Sequence, residues 1–350
     1  MRGNVRTSPR RGECGAVRLR RIFAWAVAIC SITTATTAMS ALSAAQAQER
    51  AGAVLYIAPH ADDEFQFWAQ AESRRLDYKI FATMTLGEQS GFCDPALYST
   101  AIQEDLGEAA PEPTPAGRWT ESCEAARVES AVRFYETMSE TDPTLPGDFG
   151  EPETFVLDTG GVELCRTDAD GPAARSNCDE RLRRVLVFHD RGERGALVFF
   201  NLGDGDLDQQ RVSLAIRQLL ENRGDWGLAA QLPVEGIVGA YAHEGGFYPC
   251  FDYPHPDHIA VHETLWSVDF GSGPQMGATC TLDPRRSLTR EVSAASRGAA
   301  STLGPHGERI GAHNRFYGWL HADVYPFSRF SEQTLFHRLQ SYWVRFNDSR

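Results

Sequence analysis

The stretch Ala53-Val54-Leu55-Tyr56-Ile57-Ala58-Pro59-His60-Ala61-Asp62-Asp63-Glu64 decides the fold. Its first five residues form an unbroken apolar run, the composition of a parallel strand covered on both faces. The run breaks at Pro59 into a polar turn, and Glu64 to Arg75 reads as a helix. Strand, loop and helix in that order begin a βαβ unit. In open sheets built from such units, ligands bind outside the carboxyl ends of the strands, which is where His60, Asp62 and Asp63 fall.

Working outward, a second strand run covers Ile80 to Thr85 and ends at Leu86-Gly87. A helical spacing follows from Ser122 to Met138, then a strand run at Ala196 to Phe200. Gln209 to Asn222 reads as a helix, Val234 to Tyr241 as a strand, and Ile259 to Val268 as a helix. This alternation predicts an α/β fold with a mostly parallel sheet and flanking helices. Pro- and Gly-rich stretches at 92–118 and 141–153 read as surface loops. The expected organisation is a leader at 1–47, one α/β domain at 48–270, and a C-terminal extension at 271–350 packed on that domain.

With 42% hydrophobic and 23% charged residues in 350, the composition is that of a globular protein and excludes collagen-like, coiled-coil and wholly disordered chains. The net charge is −13, although Arg2, Arg6, Arg10, Arg11, Arg18, Arg20 and Arg21 oppose only Glu13 at the start. The remainder is therefore more acidic than the total. Such a body repels phosphate, so no nucleic-acid partner is expected.

The basic start, the uncharged segment 22–47 and Ala45-Gln46-Ala47 form the pattern of a secretory signal with its cleavage site. Arg20-Arg21-Ile22-Phe23 also fits a twin-arginine signal. Either route implies an extracytoplasmic protein, periplasmic or secreted, with no stable membrane insertion after cleavage. An uncleaved anchor is the alternative reading of 22–47. Beyond the leader lie Cys93, Cys123, Cys165, Cys178, Cys250 and Cys280, none in a Cys-x-x-Cys pair. A thiolate zinc site is thereby disfavoured, and at least two disulfides are expected, with the pairing open.

A second polar cluster, Tyr253-Pro254-His255-Pro256-Asp257-His258, lies between another strand and helix. His60 and Asp63 are three residues apart, so one turn can aim both at a common point. The bland reading of Asp62, Asp63 and Glu64 is a helix N-terminus that uses acids as caps. If the fold brings His258 beside His60 and Asp63, the donors are two histidines and a carboxylate with a fourth position open. That set suits a catalytic Zn2+, one per chain, with Asp62 and His255 left as acid–base partners.

His60-Ala-Asp62-Asp63-Glu64 and His255-Pro-Asp257-His258 resemble the two signatures of the zinc-dependent de-N-acetylases of the PIG-L/LmbE family. Between them the family shows a Thr-x-Gly-Glu turn, an Arg and a Glu early in the next helix, and a later Asp-Gly. Thr85-Leu86-Gly87-Glu88, Arg127 with Glu129, and Asp204-Gly205 correspond in the same order. The resemblance spans residues 53–268 and implies a Rossmann-like domain. It implies His60, Asp63 and His258 as metal ligands and Asp62 as general base. It further implies His255, oriented by Asp257, as the oxyanion or leaving-group partner, and Tyr253, Arg127, Asp204 and Glu88 as substrate contacts. The expected activity is secreted, zinc-dependent hydrolysis of the N-acetyl amide of an N-acetylglucosamine-type sugar, whether free, in a glycoconjugate or in a polysaccharide. A zinc amidase acting on a non-sugar amide and a non-catalytic carbohydrate-binding relative are the alternatives.

The stretches 92–120 and 140–180 are longer than the family pattern requires and hold three of those six cysteines, Cys93, Cys165 and Cys178. Asp204-Gly-Asp206-Leu-Asp208 is a poor calcium loop, because the twelfth position is Ala215 where an acidic ligand is needed. His262 reads as a partly exposed helix residue.

Overall fold

Strand β1 (Ala53–Ala58) is buried along its whole length, and its side chains divide with the period of two that a strand imposes. Val54, Tyr56 and Ala58 enter one apolar layer, and Ala53, Leu55 and Ile57 enter the other. Helices α1 (Trp68–Ser73) and α2 (Glu121–Ser139) supply Trp68, Val132, Tyr135 and Met138 to the first layer. Helices α3 (Gln209–Glu221) and α4 (Pro256–Ser267) supply Val212, Ile216, Val261 and Leu265 to the second. Neither face of β1 meets water, which is why its sequence is apolar without alternation. Truncating a residue such as Leu55 to Ala should cost about 2–5 kcal/mol.

This computed structural model describes residues 50–96, 114–168, 176–240, 255–279, 287–303, 309–311 and 338–346. Residues 1–47, expected to be a leader, lie outside them, as do Tyr253, Cys250, Cys280 and most of the aromatic tail. Residues Arg50–Arg350 form one compact unit.

After β1 come β2 (Tyr78–Thr83), β3 (Glu153–Val156), β4 (Arg166–Thr167), β5 (Ser176–Asn177), β6 (Arg184–His189) and β7 (Gly195–Phe200). Then follow β8 (Val234–Gly239), β9 (Gln275–Thr279), β10 (Leu288–Glu291), β11 (Ser301–Leu303), β12 (Arg309–Gly311) and β13 (Leu339–Arg345). Nine of these make one sheet in the order β10-β13-β9-β8-β1-β2-β7-β6-β3. Its centre, β9-β8-β1-β2-β7, is parallel. Both margins are antiparallel.

The sheet thus joins the expected parallel strands at its centre to antiparallel margins, and the margin at β6 has a simple reason. Only residues 190–194 join β6 to β7, whereas a parallel crossover needs a dozen residues or more. Strands from both sides of residue 270 share this sheet, since β9, β10 and β13 extend it past β8.

The segment expected to be one helix from Glu64 to Arg75 is a 3-10 turn at Glu64–Phe67 followed by the short α1. Disulfides join Cys93 to Cys123 and Cys165 to Cys178, as proteins of an oxidising compartment form them. Among the described residues, no helix is long and apolar enough to cross a membrane.

Candidate metal centre

From β1 the chain crosses to β2 on one side, while β8, the other neighbour of β1, leads to β9 on the opposite side. A crevice opens outside the carboxyl ends of two such diverging strands. His60 leaves β1 there, and His255 to His258 begin α4 after β8. The loops after β2 and β7 close the flanks with Glu88 and Asp204.

The turn after β1 shapes itself. The Asp63 carboxylate accepts the His60 backbone N–H at 3.0 Å and lies 3.1 Å from His60 Nδ1. Although Asp63 stands at the N-cap position, its side chain makes no capping bond to the helix. The acid is turned back toward His60, contrary to the bland reading of this segment as a helix cap. Gln66 Nε2 donates to the other Asp63 oxygen, a contact readable from the i, i+3 spacing but missed in the sequence.

From the far end of the domain, His258 Nε2 reaches 3.1 Å from Asp63 Oδ2. His60, Asp63 and His258 offer one ligand atom each within 4.8 Å of one another. All three are buried. Two imidazoles and a carboxylate, brought together from the turn after β1 and the first turn of α4, form a donor set that can hold a metal ion. The second ring nitrogen of His60 completes the pattern of a metal ligand. Its Nε2 lies 3.0 Å from Asp257 Oδ2 and 3.1 Å from Asp204 Oδ1, and metal-bound histidines commonly give their other N–H to a carboxylate. Burial opposes a charge on His60, but Asp204, with hydrogen bonds to Asp204, Asp257 and Asp63, holds its pKa well above the usual histidine range.

Asp257 meets His255 through its backbone and uses its carboxylate elsewhere. Its backbone N–H donates to His255 Nδ1, the contact that caps α4. Its carboxylate instead accepts from Gly205 N at 2.8 Å and Leu207 N at 3.0 Å, besides meeting His60. The capping bond keeps the proton of neutral His255 on Nε2. Burial, then the neighbouring His60, lowers the His255 pKa and favours that neutral form.

The cleft above the centre is lined by His60, Asp62, Gly87, Gln89, Ser90, Arg127, Asp204 and His255, all polar residues apart from the glycine. Asp62 is partly exposed there, and Arg127 Nη1 donates to its Oδ2 at 3.2 Å. Gly87 has φ +65, and a Cβ at that position would collide with the Arg127 guanidinium. Glycine therefore serves both the turn and the close approach. Gln89 gives its backbone N–H to Asp204 Oδ2 at 2.7 Å. A backbone donor leaves no trace in the residue type, so this contact had no sequence signal.

Glu88 lies beneath the cleft instead of on its surface. It is fully buried, and its Oε1 accepts the Asp204 backbone N–H at 3.1 Å. Burial, followed by the Asp204 charge, pushes its pKa up to about 7. Glu129, the acid paired with Arg127 in the sequence pattern, is turned away from the centre and binds Arg133 at 2.8 Å. The structure therefore gathers His60, Asp62, Asp63, Arg127, Asp204, His255, Asp257 and His258 at one place.

Compared with protein-family models and with curated proteins, the chain gives no match.

Proposed function

We propose that this protein is an exported zinc-dependent hydrolase that removes the acetyl group from an N-acetylated amino sugar, as the PIG-L/LmbE signatures imply. The observation that carries this reading is the convergence of His60, Asp63 and His258 below a cleft whose wall holds Asp62 and His255. The parallel centre of the sheet, with helices on both faces, is compatible with the Rossmann-like domain of that family. The two disulfides agree with export by the signal read at 1–47. A cleft lined almost wholly by polar groups suits a polyhydroxylated substrate better than an apolar amide.

His60, Asp63 and His258 would hold a zinc ion, which would supply a Lewis acid for the amide carbonyl and would acidify the attacking water. The chain's residues then divide the proton work. Asp62 accepts the proton as water adds to the amide carbon, its Oδ2 fixed by Arg127. His255, with its proton on Nε2, donates to the developing oxyanion or to the departing nitrogen. Asp204 and Asp257 hold the His60 ring. Cleavage of the C–N bond releases acetate and a free amine.

The test is acetate release from a panel of N-acetylglucosamine compounds by the zinc-loaded protein. Release that stops on chelation and returns with zinc supports the reading. A fully metal-loaded protein that frees no acetate from any N-acetyl sugar overturns it.

A further inference from the structure

The ribbon β4–β5 is closed by the Cys165–Cys178 disulfide and sits in the part of the chain that exceeds the family pattern. It binds both walls of the cleft. On one side, Thr167 donates its N–H and its hydroxyl to the two oxygens of Asp206, at 2.6 and 2.9 Å. Arg211 ties the ribbon to the same loop, donating to Cys165 O and to Leu202 O, both at 2.7 Å. Leu202 and Asp206 flank Asp204, so the segment carrying Asp204 is gripped at both ends.

On the other side, the buried Arg166 donates to Glu124 Oε1 and to Trp119 O, both at 2.9 Å. Trp119 precedes the N-cap of α2, and Glu124 lies in its first turn, three residues before Arg127. Its guanidinium also lies 3.9 Å from Glu88 Oε1, the atom that accepts the Asp204 backbone N–H. A neutral interior would not retain this charge. Arg166 is spent on holding carboxylates and a carbonyl that carry the cleft walls.

We propose that Arg166 and Thr167, clasped by the Cys165–Cys178 disulfide, are positioning residues that set Asp204 against His60 and so fix how tightly the centre holds its metal. The proposal rests on reading that centre as a zinc site. Asp204 Oδ1 stands 3.1 Å from His60 Nε2, and displacing it removes one carboxylate that orients the ring. Loss of such an outer contact typically weakens metal binding about 10–100-fold.

The experiment measures zinc affinity by chelator competition, with melting temperature taken on the metal-free protein and kcat and KM on an N-acetyl sugar. Asp206→Ala and the double variant C165S/C178S are expected to weaken zinc at least about tenfold. Asp206→Asn, which restores an acceptor for Thr167, should recover most of that loss. Ile216→Val, in the core of α3, should lower the melting temperature with zinc affinity unchanged, which separates positioning from general stability. If Asp206→Ala fails to fold, Thr167→Val decides, since it removes one hydroxyl bond and should weaken zinc measurably.

Zinc affinity within twofold of wild type in Asp206→Ala, Thr167→Val and C165S/C178S overturns the proposal, even if the wild type is an active deacetylase. Weakened zinc in those variants of a protein that hydrolyses no amide leaves the proposal standing and removes the deacetylase reading. A wild-type chain that binds no zinc removes both.

Discussion

His60 Nε2 lies 3.0 Å from Asp257 Oδ2, a contact that joins residues 197 positions apart. It links the two polar clusters that follow β1 and β8 into one constellation. The same carboxylate accepts two backbone N–H groups of the loop after β7, so His60 is oriented by a group that is itself fixed. That leaves Nδ1, 3.1 Å from Asp63 Oδ2, on the side of the donor set.

Asp257→Asn should therefore fold and bind metal more weakly. The amide keeps one acceptor oxygen but faces a donor with its nitrogen, and it lacks the charge that strengthens the His60 contact. We expect zinc affinity to fall about 10–100-fold. Chelator competition measures it, and an affinity equal to wild type would assign Asp257 to capping and loop support alone.

Single replacements of His60, Asp63 or His258 by Ala should each reduce bound zinc well below one ion per chain. The fold should persist in each, because β1 and α4, which position these residues, are held by the two apolar layers and not by the metal. Metal analysis beside circular dichroism checks this. Full occupancy in the Asp63 and His258 variants with loss in the His60 variant would point instead to His60 with Asp204, His255 and Asp257, and full occupancy in all three would remove both sets.

A pH effect independent of the centre comes from His262. Its Nε2 accepts the Trp343 indole N–H at 2.9 Å, joining α4 to β13. Burial lowers its pKa from 6.5 to about 4. The unfolded chain gains a proton below 6.5 whereas the folded chain stays neutral to about 4, so unfolding becomes easier as pH falls through that window. The loss levels off below it and amounts to about 3 kcal/mol. His262→Gln keeps an acceptor for Trp343 without titrating. Denaturant unfolding at pH 7 and pH 4 should show wild type losing more stability than the variant, and equal losses would refute the argument.

Much of the centre is legible in the sequence because its parts are local. Each cluster directly follows an apolar strand run, and the i, i+3 spacing of His60 and Asp63 suffices to aim them together. The central strands are legible for the same reason. Strand β6 (Arg184–His189) is not, because its short link to β7 makes an antiparallel margin that stands outside the alternation of strand and helix. The partners of Asp257 and Glu88 were illegible for another reason. Both bind backbone N–H groups distant in sequence, and a backbone donor carries no residue identity. Arg166 carries no signal in the sequence, since a lone arginine in a polar stretch reads as surface, whereas here it is buried among carboxylates.

Asp62 separates a catalytic reading from a structural one. Its neighbour Asp63 occupies the N-cap position, and the Asp62 carboxylate is on the cleft wall with Arg127 at 3.2 Å. Asp62→Asn keeps the size of the side chain and an oxygen for the Arg127 hydrogen bond, but removes the proton acceptor. If Asp62 is the general base, turnover should drop by about 10²–10⁴-fold. Zinc content and melting temperature should stay near wild type, since the three donors and the apolar layers are untouched. Arg127→Met gives the complementary measurement: it removes the guanidinium contact from the Asp62 carboxylate and should raise KM or lower kcat without loss of zinc. Turnover of Asp62→Asn within a few-fold of wild type would move the base elsewhere, with His255 the nearest candidate on the cleft wall. Loss of zinc together with turnover would place Asp62 among the ligands, and the donor set would be redrawn around it.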